Sequence, residues 1–234
     1  MRLRPPPRLP RPARRTLLIA LGLFLGVAGA VLAYALSIST PLERVAVPAS
    51  VPPAAAPEFL RLIELHADVA MRPGHRVELA LDGAGTFPAL WRDLEAAGRS
   101  IHLQLYYCQP GALADTLARV LAGAARRGVR VRLLYDGFGC DPLGRAWFDR
   151  LREAGADVRS FRPVRWWSLH KAQERSHARI VVLDGAIGWT GGFGIDDKWL
   201  GDGRTNKSWR DTNVRFRGPA VMQLQATFAA GWAE

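Results

Sequence analysis

Residues 176–195 read SHARIVVLDGAIGWTGGFGI, and this stretch carries the most chemical information in the chain. His177 and Arg179 stand two residues apart, four apolar residues follow, and then come Asp184, a second short apolar run and the pair Gly191–Gly192. Alternation along a strand places His177 and Arg179 on one face. An imidazole beside a fixed cation can hold a phosphate and attack its phosphorus, and two glycines let the backbone approach a ligand closely. Spacing alone nevertheless favours the plainer alternative, a strand pair whose His and Arg lie at the surface.

Strand patterns alternate with helix patterns on both sides of this stretch. Strands are predicted at 76–81, 100–107, 129–135, 157–161, 179–184, 188–190 and 209–217. Helices are predicted at 58–71, 87–97, 112–127, 143–154 and 220–232. This order predicts an α/β fold with a mixed, mostly parallel sheet and helices on both faces. The ligand site of such a fold lies beyond the carboxyl ends of strands.

The N-terminal segment predicts a membrane anchor. Residues 16–37, TLLIALGLFLGVAGAVLAYALS, carry no charge. A helix of that length covers about 33 Å, enough to cross the hydrocarbon core of a bilayer. A cleaved signal peptide with the site Ala33-Tyr34-Ala35 is the alternative, although the uninterrupted run favours an anchor. Either reading exports the body of the protein.

Charge is concentrated ahead of this anchor. The 234 residues include 32 Lys and Arg and 21 Asp and Glu, giving a net charge of +11, and 49% are hydrophobic, which excludes a disordered chain. Six Arg lie in residues 1–15, so residues 16–234 carry only 26 basic against 21 acidic side chains. The basic tail predicts a cytoplasmic N-terminus, with one transmembrane helix and the remainder outside. Residues 38–57, rich in Pro and Ala, form a predicted linker to a single domain at 58–234.

The two cysteines, Cys108 and Cys140, are too few for a disulfide scaffold and lack the spacing of a metal site. Export permits them to pair, but we slightly favour buried free thiols. A loop containing Trp166, Trp167, His170 and Lys171 precedes the His177 stretch and is expected either to rim a site or to pack partly buried.

The stretch 176–195 resembles the signature of the phospholipase D superfamily, H-x-K-x4-D-x6-G-G/S-x-N. His177, Asp184, Gly191 and Gly192 stand at matching positions. The segments 76–90, 100–107, 125–139 and 209–221 are similar to the bacterial cardiolipin synthase branch, so that the resemblance covers about residues 74–232.

This resemblance implies a set of residue roles. His177 would be the nucleophile that forms a phosphohistidine, or the acid when it faces a partner. Arg179 would bind phosphate in place of the family Lys, and Asp184 would support the site. Asp211 would orient the imidazole of His177 through its other ring nitrogen. The implied site comprises catalytic His177, Arg179, Asp184 and Asp211 and substrate-binding Gly191 and Gly192, with no metal and no cofactor.

Three departures from the family pattern shape the expected function. Arg179 replaces Lys, Gly194 replaces Asn, and one signature stands where active members bring two together. The chain ends where a first half would lead into a second, so we expect a homodimer or a second phospholipase D-like half. The expected activity is phosphatidyl transfer or phosphodiester cleavage on anionic phospholipid at a membrane. The alternatives are a catalytically impaired membrane-anchored module and an exported single-signature nuclease, although nucleic acid is the less favoured partner.

Overall fold

A computed structural model describes residues 11–38, 52–163, 175–205 and 207–234. The chain divides into two compact units, Met1–Ala67 and Asp68–Glu234. The loop with Trp166, Trp167, His170 and Lys171 lies outside the described residues, as do most of the basic tail and of the linker.

The described part of the first unit consists mainly of helices α1 and α2. Helix α1, Arg11–Ile38, includes the stretch Arg14–Ala35, which has a mean hydropathy of 2.4 and no buried residues. Within the described ranges it is the one helix that is long and apolar enough to cross a membrane, in agreement with the segment predicted at 16–37. Helix α2, Pro57–Ala67, ends four residues before the predicted boundary because Asp68 has a left-handed backbone, with φ of 49°.

In the described residues of the second unit, a seven-stranded sheet is accompanied by four α-helices. Its strands are β1 Arg76–Leu81, β2 Ser100–Leu105, β3 Arg130–Asp136, β4 Asp157–Phe161, β5 Ile180–Leu183, β6 Ile187–Gly191 and β7 Thr212–Arg217. Its helices are α3 Asp82–Ala96, α4 Ala112–Arg126, α5 Gly144–Glu153 and α6 Ala220–Ala233. Helix α3 begins five residues before the predicted boundary at residue 87. The carbonyl of Trp199 packs directly on Gly83, so that a small residue is needed inside this helix.

The strand order is β1-β7-β6-β5-β2-β3-β4. The predicted mixed sheet is confirmed, but its predicted mostly parallel pairing is wrong. The pairs β2–β3 and β3–β4 are parallel, and the other four pairs are antiparallel. Strands β5 and β7 run against the other five and lie between them, and the turn from β5 to β6 is too short for anything but an antiparallel hairpin.

Helices cover both faces of the sheet, as predicted. On one face α3, α4 and α5 form the larger core with strand residues such as Leu103 and Trp189. On the other face α6 buries Val221 and Phe228 against Ile180 and Val182. Strand β5 is therefore buried on both sides, which fixes the position of the residues at its two ends.

Cys108 and Cys140 form a disulfide, with Cα atoms 4.4 Å apart, so the expectation of free thiols is wrong. Cys108 follows β2 and Cys140 follows β3, and these strands are parallel neighbours. Residues beyond their carboxyl ends therefore meet, and the Cys108 N–H donates to the Gly139 carbonyl at 3.0 Å. The pairing of β2 with β3 brings the two cysteines together, and the spacing of the cysteines in the sequence does not reveal this pairing.

Candidate active site

The predicted site residues other than Asp184 meet at one end of the strands of the sheet. Arg179 stands directly before β5 and Asp211 directly before β7, whereas Gly191 is the last residue of β6. Because β5 and β7 are each antiparallel to β6, the starts of the first two lie beside the end of the third. The carboxyl end of β2, where Tyr106 follows the strand, lies at the same end of the sheet. The predicted placement at carboxyl strand ends therefore holds for β2 and β6 only.

His177 is exposed and is supported by an aromatic ring. Its imidazole lies 3.8 Å from the ring of Tyr106, measured between centroids, and the planes are tilted by 33°. The Arg179 guanidinium carbon is 5.5 Å from the same Tyr106 centroid. Arg179 Nη1 also donates to the His177 carbonyl at 3.1 Å. Tyr106 therefore holds the two side chains together, a role that no sequence signal identified.

Arg179 is half-buried, and its Nε has no hydrogen-bond partner among the described residues. Desolvation by burial lowers the pKa of Arg179, while Asp211 and Tyr106 act to raise it. A guanidinium stays protonated in proteins, so this group is a permanent cation beside the imidazole. A buried donor without a partner is costly unless a ligand oxygen accepts from it.

Asp211 is the acidic member of the cluster. Its Oδ1 accepts from the Thr212 N–H at 2.8 Å, and its Oδ2 is buried without a partner in the described part of the chain. No hydrogen bond joins Asp211 to His177 within those residues, and its carboxylate packs instead on Gly192. A Cβ at residue 192 would lie 2.5 Å from Asp211 Oδ1, so a side chain there would displace the Asp211 carboxylate.

Asp82 holds the backbone of Asp211 from both sides. The Asp211 N–H donates to Asp82 Oδ1 at 2.9 Å, and the Asp82 N–H donates to the Asp211 carbonyl at 2.8 Å. Asp82 itself has a φ of 52°, a strained value for a residue with a side chain. These two hydrogen bonds connect the end of β1 to the start of β7.

The buried Asn213 contacts the segment that contains the glycine pair. Asn213 Nδ2 donates to Thr86 Oγ1 at 2.9 Å, and Asn213 Oδ1 accepts from the Phe193 N–H at 3.2 Å. A Cβ at Gly191, where φ is +156°, would lie 2.8 Å from Asn213 Cα. The glycines thus allow the end of β6 to approach the start of β7 closely. No signal in the sequence identified Asn213.

Gly194 occupies the signature position of the family Asn. A Cβ there would lie 2.9 Å from two ring carbons of Trp199. The indole therefore fills the space that the side chain would need, which explains this departure from the family pattern.

Asp184 is not brought together with these residues, contrary to the sequence interpretation. It follows β5, whereas His177 precedes it, so about 20 Å of strand separate them. Its carboxylate accepts from the backbone N–H groups of Gly98, Arg99 and Ser100 at 3.0, 2.7 and 2.8 Å. Burial acts to raise the pKa of Asp184, but these hydrogen bonds outweigh it and lower the pKa. Asp184 fixes the start of β2 and has no contact with the cluster.

The described residues contain no group of three or more His, Cys, Asp or Glu side chains placed to hold a metal ion. The cluster is therefore built from one imidazole, one guanidinium, one carboxylate and the backbone of two glycines. Such a set can bind a phosphodiester and attack it.

Comparison with known proteins agrees with this geometry. The family described as "Cardiolipin synthase, PLD-like domain" matches residues 90–232. The chain is 36% identical over 181 residues to the cardiolipin synthase of Geobacillus kaustophilus, covering 76% of this chain and 36% of that protein. It is 37% identical over 156 residues to that of Oceanobacillus iheyensis, covering 67% and 33%. The chain spans about a third of the length of the curated relatives it matches.

Solved structures show the same fold. The phospholipase D family member Nuc from Salmonella typhimurium matches with a TM-score of 0.52 at 16% identity, over 68% of this chain and 95% of that chain. NucT from Helicobacter pylori matches with a TM-score of 0.53 at 12% identity, over 68% and 97%. At these identities the likeness concerns the fold alone.

Proposed function

This chain belongs to the phospholipase D-like family of cardiolipin synthases, and from that premise we propose that it acts in phosphatidyl transfer on anionic phospholipid. The donor is phosphatidylglycerol, and the acceptor is the alcohol of a second lipid or water. The observation that carries the proposal is the placement of His177 and Arg179 against the ring of Tyr106, which puts a nucleophile and a cation within reach of one phosphate.

The chemistry follows from these groups in two steps. A ring nitrogen of His177 attacks phosphorus, so that a P–N bond forms while the P–O bond to the leaving alcohol breaks. The leaving oxygen takes its proton from a second histidine. The acceptor alcohol then returns a proton to that histidine, its oxygen attacks phosphorus, and the P–N bond breaks to restore His177. Arg179 stabilises the charge that develops on the phosphoryl oxygens in both steps.

Asp211 and the glycine pair have supporting roles in this proposal. The unpartnered Oδ2 of Asp211 accepts from the imidazole once His177 becomes cationic. Gly191 and Gly192 bring the backbone close to the phosphate. Asp184 is a structural residue of the same domain, because it fixes the start of β2.

The second histidine has to come from outside the described cluster. We assign it to a second copy of the chain in a homodimer, or to a second phospholipase D-like half. Helix α1 is the proposed anchor, with residues 1–15 in the cytoplasm, residues 38–57 as linker and the domain on the outer side of a bacterial cell membrane. In that arrangement the exposed imidazole of His177 acts close to its lipid substrate.

The test compares His177→Ala with His66→Ala, since both histidines are exposed and only the first belongs to the cluster. Purified full-length chain is incubated with phosphatidylglycerol vesicles, and cardiolipin and released glycerol are measured. We expect product formation to disappear in His177→Ala and to persist in His66→Ala. Cardiolipin formation that survives in His177→Ala contradicts the proposal, as does a His177-dependent cleavage of DNA without lipid turnover.

A further inference from the structure

The backbone that carries His177 lies outside the hydrogen-bond ladder of the sheet. Residues 175–179 belong to no helix or strand, and the ladder between β2 and β5 ends at the pair Gln104 and Ile180, three residues beyond His177. Cross-strand hydrogen bonds fix the path of a strand only where the ladder exists. The position of the imidazole therefore depends on contacts that side chains make with residues 175–179.

Gln104 holds the residue directly before the nucleophile. Its Nε2 donates to Ser176 Oγ at 2.9 Å, and the same Oγ accepts from the Ala178 N–H at 3.4 Å. A hydroxyl oxygen has two lone pairs, so it can accept both hydrogen bonds at once. Through one serine, Gln104 is thereby connected to the backbone on both sides of His177.

Gln104 and Tyr106 contact the same segment from the same strand. They are two residues apart, and side chains at that spacing leave a strand on one face. Tyr106 contacts the imidazole of His177, whereas Gln104 contacts Ser176, one residue earlier. The carboxyl end of β2 thus holds both the ring and the backbone of the nucleophile.

The burial of Gln104 has a cost in stability. The residue is 4% exposed, and its Oε1 has no hydrogen-bond partner among the described residues. A Cβ at Gly231 of α6 would lie 3.4 Å from this oxygen, and the core on that face of the sheet contains Ile180, Val182 and Phe228. A buried amide that uses only part of its hydrogen-bonding capacity is less favourable there than an apolar side chain of similar size. Such exceptions to good packing are typical of functional positions.

We propose that Gln104 is a positioning residue, which holds His177 against Tyr106 by fixing Ser176. This inference rests on the proposed function, in which a ring nitrogen of His177 attacks phosphorus. Gln104 acts on the reaction only through Ser176, so its loss misplaces the imidazole without removing a group that binds phosphate. Misplacement of a reacting group lowers kcat and leaves KM largely unchanged.

Gln104→Met separates positioning from stability, since methionine is unbranched and has no amide to bury. Gln225→Met is the matched control, because Gln225 is a half-buried glutamine of α6 whose Oε1 accepts from His102 Nδ1 at 2.7 Å. Rates of cardiolipin formation by full-length chain on phosphatidylglycerol vesicles give kcat and KM, and thermal unfolding gives the midpoint. We expect kcat to fall about 10- to 100-fold in Gln104→Met, with the parent KM and an equal or higher midpoint. Gln225→Met should keep the parent kcat.

Ser176 gives a second test of the same link, which also applies if Gln104→Met does not fold. Ser176→Ala removes the acceptor of the Gln104 amide and should reproduce the loss of kcat, whereas Ser176→Thr keeps a hydroxyl and should restore most of it. The double variant Gln104→Met/Ser176→Ala should lose no more than either single variant, because both changes break one link. Fully additive losses overturn the proposal.

Chemical labelling follows the position of the imidazole without turnover. Diethyl pyrocarbonate modifies exposed histidines, and peptide mass spectrometry gives the rate at His177 relative to the exposed His66 as an internal reference. This ratio should rise about 2- to 10-fold in Gln104→Met and Ser176→Ala, the range that loss of one aromatic contact allows. It should keep the parent value in Gln225→Met.

An unchanged labelling ratio in both Gln104→Met and Ser176→Ala overturns the proposal, as does an equal loss of kcat in Gln104→Met and Gln225→Met. A parent chain that forms no cardiolipin contradicts the proposed function alone. The labelling ratio then still decides whether Gln104 holds His177 in place.

Discussion

The ring of Tyr106 lies 3.8 Å from the imidazole of His177, and the same ring lies 5.5 Å from the guanidinium carbon of Arg179. Tyr106 follows β2, whereas the two basic residues precede β5, and these strands are antiparallel neighbours. The contact with Tyr106 restricts the rotamers of an exposed histidine and holds its imidazole on one side of the proposed phosphate site.

Removal of the Tyr106 ring is expected to lower kcat while leaving the protein folded. In Tyr106→Leu the imidazole loses its supporting face, and misplacement of a reacting group lowers kcat by about 10- to 100-fold. Tyr106→Phe keeps the ring and is expected to retain most of the activity. Initial rates of cardiolipin formation distinguish the two variants, and a Tyr106→Leu enzyme with the parent kcat would show that the stacking has no catalytic effect.

Charge at residue 179 is expected to matter more than the shape of the cation. Arg179→Gln removes the positive charge next to the reacting phosphate, and loss of one transition-state donor costs about 100- to 1000-fold in kcat. Arg179→Lys restores the residue of the family signature and keeps the charge. The rates of the two variants at saturating phosphatidylglycerol measure this difference. Equal losses in both would mean that the planar guanidinium is itself required.

Introducing the family Asn at Gly194 is expected to destabilise this protein. The new Cβ would lie 2.9 Å from the indole of Trp199, and such overpacking costs about 1–3 kcal/mol. Thermal unfolding of the full-length chain in detergent should show a lower midpoint for Gly194→Asn. In the double variant with Trp199→Leu the effects should be less than additive, because the smaller side chain relieves the contact. Strict additivity would contradict this explanation of the glycine.

Asp184 is expected to contribute to stability and not to catalysis. Asp184→Ala removes the acceptor of three backbone N–H groups, at a cost of about 1–3 kcal/mol in the free energy of unfolding. Asp184→Asn should cost less, since Asn keeps an acceptor and tolerates the φ of 54° at this residue. The kcat of folded Asp184→Asn protein should equal that of the parent, and a loss comparable to that of Arg179→Gln would return Asp184 to the catalytic set.

The contribution of Asp184 has a defined pH dependence. Its pKa is lower in the folded protein, so the stabilisation is fully present above the unfolded value of about 3.9 and is lost as the pH falls through the folded pKa. The stability gap between the parent and Asp184→Ala should therefore narrow in acid, from pH 7 to below about pH 4. Chemical unfolding at both ends of this range measures the gap, and a constant gap would exclude the carboxylate as its source.

Loss of the disulfide is expected to lower stability substantially. Cys108 and Cys140 are separated by 32 residues, and closing a loop of that size restricts the unfolded chain by about 3–4 kcal/mol. The variant Cys108→Ser/Cys140→Ser should unfold at lower denaturant than the parent, and reduction of the parent should reproduce that midpoint. Identical midpoints before and after reduction would contradict a stabilising disulfide.

The sequence by itself determined the features that depend on neighbouring residues. A charge-free run predicted helix α1, and short apolar or alternating segments predicted seven strands, because the burial of a segment shows in the local spacing of its apolar residues. Placing His177 and Arg179 on one face followed from the same alternation, and their common contact with Tyr106 agrees with it. The chemistry of the side chains and the family resemblance both pointed to residues 176–195 as the candidate site.

Only the tertiary structure decided which strand ends meet. Alternation tells which face a residue occupies but not which strand lies beside it, so the insertion of β7, β6 and β5 between β1 and β2 did not follow from the sequence. That insertion brings Tyr106 to the imidazole of His177 and lets Asn213 contact the glycine pair, whereas Asp184 and His177 are apart because β5 runs between them. Strands β2 and β3 are parallel neighbours, which is why Cys108 and Cys140 can pair beyond their carboxyl ends. These contacts join residues far apart in the chain. They form only when the complete sheet is assembled and helices bury both of its faces.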